Sequence, residues 1–309
     1  MELPDVQLLK PEIPLGLNRV GITGVKKLVK IKRGKETAFL ISNFDIFVDL
    51  SSERKGVNLS RSFEVIDDVL EEITSKPAEL VEELNSKIVD MLLQKHEYAT
   101  RAEVKMVADL FLKKVTPETH HKTQEIIKII CEVSKERNKE KKIFVGVEVP
   151  GITACPCAQE LIKTKIKKEL KEAGFDKEKI NVVLEKIPIA SHNQRSKSTI
   201  KIQVNKKFSP KIEDLIEIAR NSMSSEVYEI LKREDELVIV EKLHRNPKFV
   251  EDGVRIMAKL IVEKFKNAPN DVIVYLRQEN EESIHQHNVV AERIATIGSL
   301  KKDLEKQIL

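Results

Sequence analysis

Three short stretches carry residue types able to do chemistry: "TACPCAQE" at 153–160, "ASHNQRS" at 190–196 and "EESIHQHN" at 281–288. The first places Cys155 and Cys157 on either side of a proline, and they are two of the chain's three cysteines. A single intervening residue is too short a span for a disulfide without backbone strain, and so few cysteines do not build a disulfide framework. A tetrathiolate zinc site needs four cysteines, and the only other one, Cys131, falls in a stretch that reads as a strand. Redox pairs ordinarily have two intervening residues and a thioredoxin-like βαβ setting, and neither is present. A mixed Cys/His/Glu metal site with an open coordination position fits the inventory better. Zinc or ferrous iron held by one thiolate, one imidazole and one carboxylate leaves room for water and lowers its pKa toward neutrality, which is hydrolytic chemistry.

His192, His285 and His287 sit in polar, turn-like surroundings that a core would not select. On a strand His285 and His287 would share a face, following Glu281 and Glu282, and could present imidazoles to one substrate. From this motif alone an exposed loop with incidental histidines is the better reading. His96, His120, His121 and His244 lie among charged residues and read as surface histidines. Arg61 in "NLSRSFE" and Arg195 in "HNQRS" neighbour Ser, Asn and Gln, a setting suited to phosphate oxygens, though each also reads as an ordinary surface arginine. "LKREDE" at 231–236 and "NPKFVED" at 246–252 read as solvated charged faces, and "ERNKEKK" near 136–142 as a solvated turn.

The elements that must position these residues follow from periodicity. Residues 22–50 read as two β segments around a turn signal at Gly34, a hairpin. Two amphipathic helices follow, "RSFEVIDDVLEEITSK" and a second opened by Pro77. "RAEVKMVADLFLKKV", "TQEIIKIICEVSKER" and "KKIFVGVEVPG" alternate and are rich in β-branched residues, so they read as strands. Beyond the cysteines, "AQELIKTKIKKELKEAG" is an amphipathic helix ended by Gly174, and "SKSTIKIQVN" is a strand. A further helix starts at Ser209-Pro210, and another has Asn246 as N-cap and Pro247 at its first position. "DVIVYLRQENEESIHQHNVVAERIATIG" closes the chain as a hairpin. Both halves thus pair helices with flanking strands, an α+β pattern that suggests one module over 1–150 and a second over 151–309, without a residue-level repeat.

The 309 residues are 41% apolar and 34% charged, which excludes a disordered chain. Fifty-four basic residues against fifty acidic ones give a net charge of only +4, which argues against a nucleic-acid binder while leaving room for a local basic pocket. The absence of tryptophan and the abundance of Lys, Glu and Ile match proteins in which ion-pair networks confer heat stability. The N-terminal stretch has acids and prolines where a signal peptide has a basic and then an apolar region, and no apolar run reaches membrane-spanning length, so a cytoplasmic protein is expected.

Taken in order, "GITACPCAQE", "SHNQRS", "YEILKREDE", "NPKFVED" and "ESIHQHN" resemble the type IB GTP cyclohydrolases, and among them the archaeal branch that opens the methanopterin pathway. The resemblance runs from about residue 20 to the end and implies a tunnelling fold: two tandem ββαα(ββ)-type modules that assemble through their sheets into an oligomeric barrel. A homo-oligomer, dimer or tetramer, with active sites at subunit interfaces is implied, with GTP as substrate. Residue by residue, Cys155, His192 and Glu236 match the metal-binding set, while Cys157 is a neighbour. Glu282 matches the acid that grips the guanine ring, and His285 and His287 match the pair that moves protons at the purine nitrogens. Glu251 matches a further acid of that site, and Arg61, with Ser60 beside it, and Arg195 match positions that hold the triphosphate from different subunits. Where bacterial relatives carry His-Met-Ser-Arg this chain reads Asn58-Leu59-Ser60-Arg61, and its spacing from Cys155 to His192 is longer; both departures point to the archaeal branch.

The implied reaction is addition of metal-activated water to C8 of GTP, ring opening to a formamide and release of formate, with His285, His287, Glu251 and Cys155 at the reacting ring. In the archaeal branch loss of pyrophosphate then gives 7,8-dihydroneopterin 2',3'-cyclic phosphate, whereas bacterial relatives keep the triphosphate. Ferrous iron is the implied metal, with zinc or manganese as substitutes. Alternatives are another purine or pterin enzyme of the same fold, and a non-catalytic nucleotide-binding protein.

Overall fold

A computed structural model of the protein describes residues 6–33, 36–75 and 81–306. The turn signal at Gly34 and the helix start at Pro77 lie outside the described residues. After a 3₁₀ turn at Val6–Leu8 come β1 (Leu17–Arg33), β2 (Glu36–Leu50), α1 (Leu59–Ser75), α2 (Val81–Lys95), β3 (Arg101–Val115), β4 (Lys122–Glu136) and β5 (Lys142–Ala154). The chain continues through α3 (Pro156–Glu172), α4 (Lys177–Lys186), β6 (Asn193–Val204), α5 (Ile212–Asn221), α6 (Arg233–Arg245), α7 (Val250–Lys264), β7 (Ile273–Asn280), β8 (Val289–Thr296) and α8 (Ile297–Glu305). The eight strands hydrogen-bond in chain order in a single sheet. β1 with β2, β2 with β3, β6 with β7 and β7 with β8 are antiparallel, in registers such as Phe44 opposite Met106 and Ser198 opposite Gln278.

The chain packs into two compact units, and neither is continuous in sequence. The first comprises Met1–Leu110, Lys128–Gly146 and Gln203–Ser209, the second Phe111–Ile127, Val147–Ile202 and Pro210–Leu309. In the first unit the strand alternation puts Leu40, Phe44, Ile46 and Val48 of β2, and Val104 and Met106 of β3, on the buried face. Val65, Ile66 and Val69 of α1 and Leu84, Ile88 and Leu92 of α2 supply the helical side of this core. Each such side chain contributes about 1.5–3 kcal/mol on burial.

In the second unit α7 packs on β7, β8, α5 and α8. Gly253 permits this closeness, since a Cβ there would stand only 3.0 Å from the Gln278 side chain of β7. Gly174, with φ of +88°, ends α3 as its sequence position leads one to expect.

The helix starts depart from expectation. The charged stretch at 231–236 opens α6: burial pushes the Asp235 carboxyl up, but the Thr119 hydroxyl and the N–H groups of Thr119, Glu118 and Lys232, at 2.6–3.0 Å, together hold it below the usual carboxylate range. Asn246 is the C-cap of α6, and α7 begins at Val250, where the Asp252 carboxylate accepts the Phe249 N–H at 3.0 Å. The helix expected at Ser209-Pro210 begins at Ile212. α4 and α8, capped by Asp176 and Thr296, were not foreseen. His285 and His287 occupy the loop between β7 and β8, so they do not share a strand face. His96 and His244, expected at the surface, are buried at 0% and 8% exposure: hydroxyls meet both ring nitrogens of His96, and the Ser191 N–H donates to Nδ1 of His244. His120 and His121 are exposed. Among the described residues no helix is long and apolar enough to cross a membrane.

Candidate active site

Cys155 forms the N-cap of α3, with extended backbone (φ −77°, ψ 117°), Pro156 in the first turn and Sγ accepting the Ala158 N–H at 3.5 Å. The N-terminal dipole of a helix favours an anionic atom at this position. Buried Gln159 holds α3 in place by donating to the carbonyls of Ile189 at 2.7 Å and His244 at 2.6 Å. The Cys155 N–H donates to the carbonyl of His192 at 3.0 Å, so a long insertion in sequence closes to a direct backbone contact. On the other side of Cys155 the Lys248 N–H donates to the Ala154 carbonyl at 3.0 Å, drawing the approach to α7 against the end of β5. The Lys248 ammonium donates to the carbonyls of Asn221 and Met223 at 3.0 and 2.7 Å, and burial, then the charge of Lys242, holds it below the usual lysine range.

The His192 ring lies against Gln194, with Nδ1 3.0 Å from Oε1, and stands 3.8 Å from Oε2 of Glu282. Both side chains are largely enclosed, 15% and 9% exposed. Arg195 follows on β6 as an exposed side chain whose carbonyl accepts the Glu281 N–H at 2.8 Å, and Lys197 pairs with Glu281 at 2.6 Å. Strand pairing of β6 with β7 therefore carries the Glu281–Glu282 segment to His192. His285 and His287 project from the same loop, both exposed, with rings stacked at 5.3 Å and 17°. Glu251, in the first turn of α7, is exposed and lines a cavity of about 430 Å³ with Val254, Arg255, Leu300 and Leu304.

Of the sequence-derived set, then, Cys155, His192 and Glu282 are brought together, with Arg195 beside them. Glu236 lies in the first turn of α6 with its side chain in solvent. Among the described residues no three His, Cys, Asp or Glu side chains converge closely enough to hold a metal ion. Cys155 and His192 lie on adjacent segments joined by the Cys155 N–H to His192 carbonyl bond, while the third residue of the expected set, Glu236, faces solvent.

In the first unit Ser60 and Arg61 sit exposed in the first turn of α1, and the Arg61 guanidinium donates to the Lys95 carbonyl at 3.1 Å. Next to them His96 is locked between Ser62 Oγ at 3.2 Å and the Tyr98 hydroxyl at 2.9 Å, and the Arg54 guanidinium lies 4.0 Å over the Tyr98 ring. Burial, reinforced by the charges of Arg61 and Arg54, lowers the His96 pKa to about 4.

Sequence reasoning missed the polar supports of the site. Gln194, Thr153 and Ser196 are 5%, 1% and 1% exposed and hydrogen-bond to one another behind His192. The signal was present: on β5 and β6 these residues share the parity of Val147, Val149, Ile200 and Ile202, and a polar residue at inward parity must have a partner. Also missed was a buried charged network in the same unit. There Lys114 bonds Glu125 at 3.3 Å and Glu226 at 2.7 Å, Arg220 bonds Glu125, and burial together with Glu226 and Glu125 pushes the Tyr228 hydroxyl up to about 12.

Comparison with known proteins gives this geometry its family. Residues 3–291 match the family model described as type I GTP cyclohydrolase folE2. The chain is 50% identical over 309 residues to the protein named GTP cyclohydrolase MptA of Methanosarcina barkeri, spanning 98% of this chain and 97% of that one. It is 49% identical over 311 residues to the protein of the same name from Methanosarcina mazei, spanning 98% of each. Among solved structures, uricase from Arthrobacter globiformis superimposes with a TM-score of 0.51 over 91% of this chain and 94% of that one, at 9% identity, a likeness of fold alone. The match along nearly the whole chain, at this identity to its relatives, places it in the type I GTP cyclohydrolase folE2 family and makes it an enzyme of the GTP cyclohydrolase class.

Proposed function

We propose that the protein opens the imidazole ring of GTP, releases formate and, with loss of pyrophosphate, yields 7,8-dihydroneopterin 2',3'-cyclic phosphate as the first step of tetrahydromethanopterin biosynthesis. The observation that carries this reading is the approach of Cys155, His192 and Glu282, from three separate segments, in a chain so similar to proteins named for that activity.

Cys155 and His192 would hold the metal, with Glu236 as the third ligand, and ferrous iron, or zinc or manganese in its place, would supply Lewis acidity and an activated water. Everything else falls to the chain's own groups. Glu282, largely enclosed, accepts hydrogen bonds from N1–H and the 2-amino group of guanine, a pairing that a carboxylate fits on two oxygens. His285 and His287 carry protons to and from the purine nitrogens and exchange them with solvent, which their exposure allows. Glu251 flanks the reacting ring, and Arg61, Ser60 and Arg195 hold the triphosphate.

Tandem modules over 1–150 and 151–309 and a homo-oligomeric barrel, dimeric or tetrameric with interfacial sites, belong to the same proposal. The exposure of His285, His287, Arg61 and Arg195 on a single chain supports it, since a site completed by a second copy leaves its polar groups open in the first.

The test is anaerobic incubation with Fe(II) and GTP, with formate assayed and the pterin identified by mass. Formate with the cyclic phosphate is expected. Formate with dihydroneopterin triphosphate overturns the product assignment alone, and GTP bound without formate release overturns the catalytic reading.

A further inference from the structure

We propose that Arg54 and Asn58 form, with Arg61, a subsite for a ribose phosphate: anionic oxygens lie on the two guanidinium groups and a sugar hydroxyl on the Asn58 side-chain carbonyl. This rests on the reading of Arg61 as a phosphate-holding residue and deepens it with two further residues, all three within the first compact unit.

Two buried side-chain atoms in this corner have no hydrogen-bond partner, and they are of opposite sense: the Nε–H of Arg54 is a donor and Oδ1 of Asn58 an acceptor. A buried polar group left unpaired carries the full cost of its desolvation, and native structures keep few of them. Both residues are fastened to Tyr98. The Arg54 guanidinium lies 4.0 Å from the centre of the Tyr98 ring, and the Asn58 N–H donates to the Tyr98 hydroxyl. The same hydroxyl stands 2.9 Å from Nδ1 of His96, whose Nε2 meets Ser62 Oγ at 3.2 Å. Ser62 adjoins Arg61 in α1, and the Arg61 N–H donates to the Asn58 carbonyl at 3.1 Å. One tyrosine thus ties Arg54 and Asn58 to the turn that carries Ser60 and Arg61.

The charge of this corner is unbalanced. Among the described residues neither guanidinium has a carboxylate partner, and the Arg61 side chain spends one bond on the Lys95 carbonyl at 3.1 Å. Asp49, whose charge reaches Tyr98, is committed elsewhere: it accepts the Thr100 N–H and hydroxyl at 2.8 and 2.5 Å and the Arg101 N–H at 2.8 Å. Glu64, the first acid of α1, pairs with Lys95 at 3.4 Å. Stacking occupies the face of the Arg54 guanidinium and leaves its edge donors for acceptors in its plane, the geometry in which arginine forks a phosphate. A bare anion offers Asn58 no proton. A ribose phosphate carries hydroxyls next to its anionic oxygens and satisfies both unpaired atoms.

The test is calorimetric titration of the metal-free full chain with GTP, 2'-deoxyGTP, 3'-deoxyGTP and tripolyphosphate. Arg54→Gln should weaken GTP and tripolyphosphate alike, by about 10–100-fold, the range of a lost charge-assisted hydrogen bond. Asn58→Ala should weaken GTP while leaving tripolyphosphate as in the wild type. One of the two deoxynucleotides should bind the wild type more weakly than GTP does, and this difference should vanish in Asn58→Ala. Arg54→Lys keeps the charge without the fork; it serves if Arg54→Gln does not fold, and it should also lose affinity for tripolyphosphate. Wild-type GTP affinity in folded Arg54→Gln or Asn58→Ala overturns the proposal. Arg61→Gln, measured beside them, loses affinity if the phosphate reading beneath the proposal stands and keeps it if that reading is wrong.

Discussion

The role proposed for Glu282 depends most on chemistry specific to guanine. It offers two acceptor oxygens in an enclosed position, beside but not bonded to His192. Charge-assisted hydrogen bonds of this kind are worth about 1.5–3 kcal/mol each. Glu282→Ala should therefore raise KM for GTP by at least tenfold while leaving bound metal unchanged; steady-state kinetics with metal analysis on the same samples checks this, and a metal-depleted variant would move Glu282 into the ligand set.

His96 makes a prediction of another kind. Its folded pKa is about 4 against 6.5 for the free side chain, so between those values the unfolded chain binds a proton that the folded chain does not. Stability is thus full above pH 6.5 and falls as pH drops toward 4, by about 3 kcal/mol from this residue. Urea denaturation at pH 7 and 4.5 should show a smaller loss for His96→Gln than for the wild type. At this scale Cys155, His192 and Glu282 were legible as residue types in ordered motifs. The burial of His96 was not, because it and Tyr98, two residues on, lie in a charged stretch, and only tertiary packing brings Ser62, 34 residues away in the chain, to its ring.

At the scale of elements, the strands were legible because a sheet with one buried face imposes a period of two, visible in β2, β3 and β7. α6 was not. Its opening residues look like a solvated charged face, and what makes them a helix start is Asp235 reaching Thr119, more than a hundred residues away in the chain. The Asp235 carboxyl is depressed below its ordinary range, so its contribution is present above the unfolded carboxylate pKa and is lost on acidification through the lower folded value. Asp235→Asn keeps the shape and discards the charge. Its melting temperature should lie below that of the wild type at neutral pH, with the gap narrowing in acid, and a gap independent of pH would contradict the capping account. The same helix carries Glu236, so loss of this cap should also weaken metal binding if Glu236 is the third ligand.

For the whole molecule, the sequence suggests modules over 1–150 and 151–309, and each compact unit is assembled from separate stretches of the chain. β3 to β6 each contribute residues to both, which a one-dimensional reading does not anticipate because strand pairing ignores sequence distance. The site nonetheless stands on one idea, that Cys155 and His192 hold the metal on which turnover depends. Bound iron and formate release per protomer, measured together in wild type and Cys155→Ala after anaerobic reconstitution, test it most directly. Loss of both in a variant that keeps its fold is the predicted result, and an iron-replete Cys155→Ala protein that still releases formate would contradict the account.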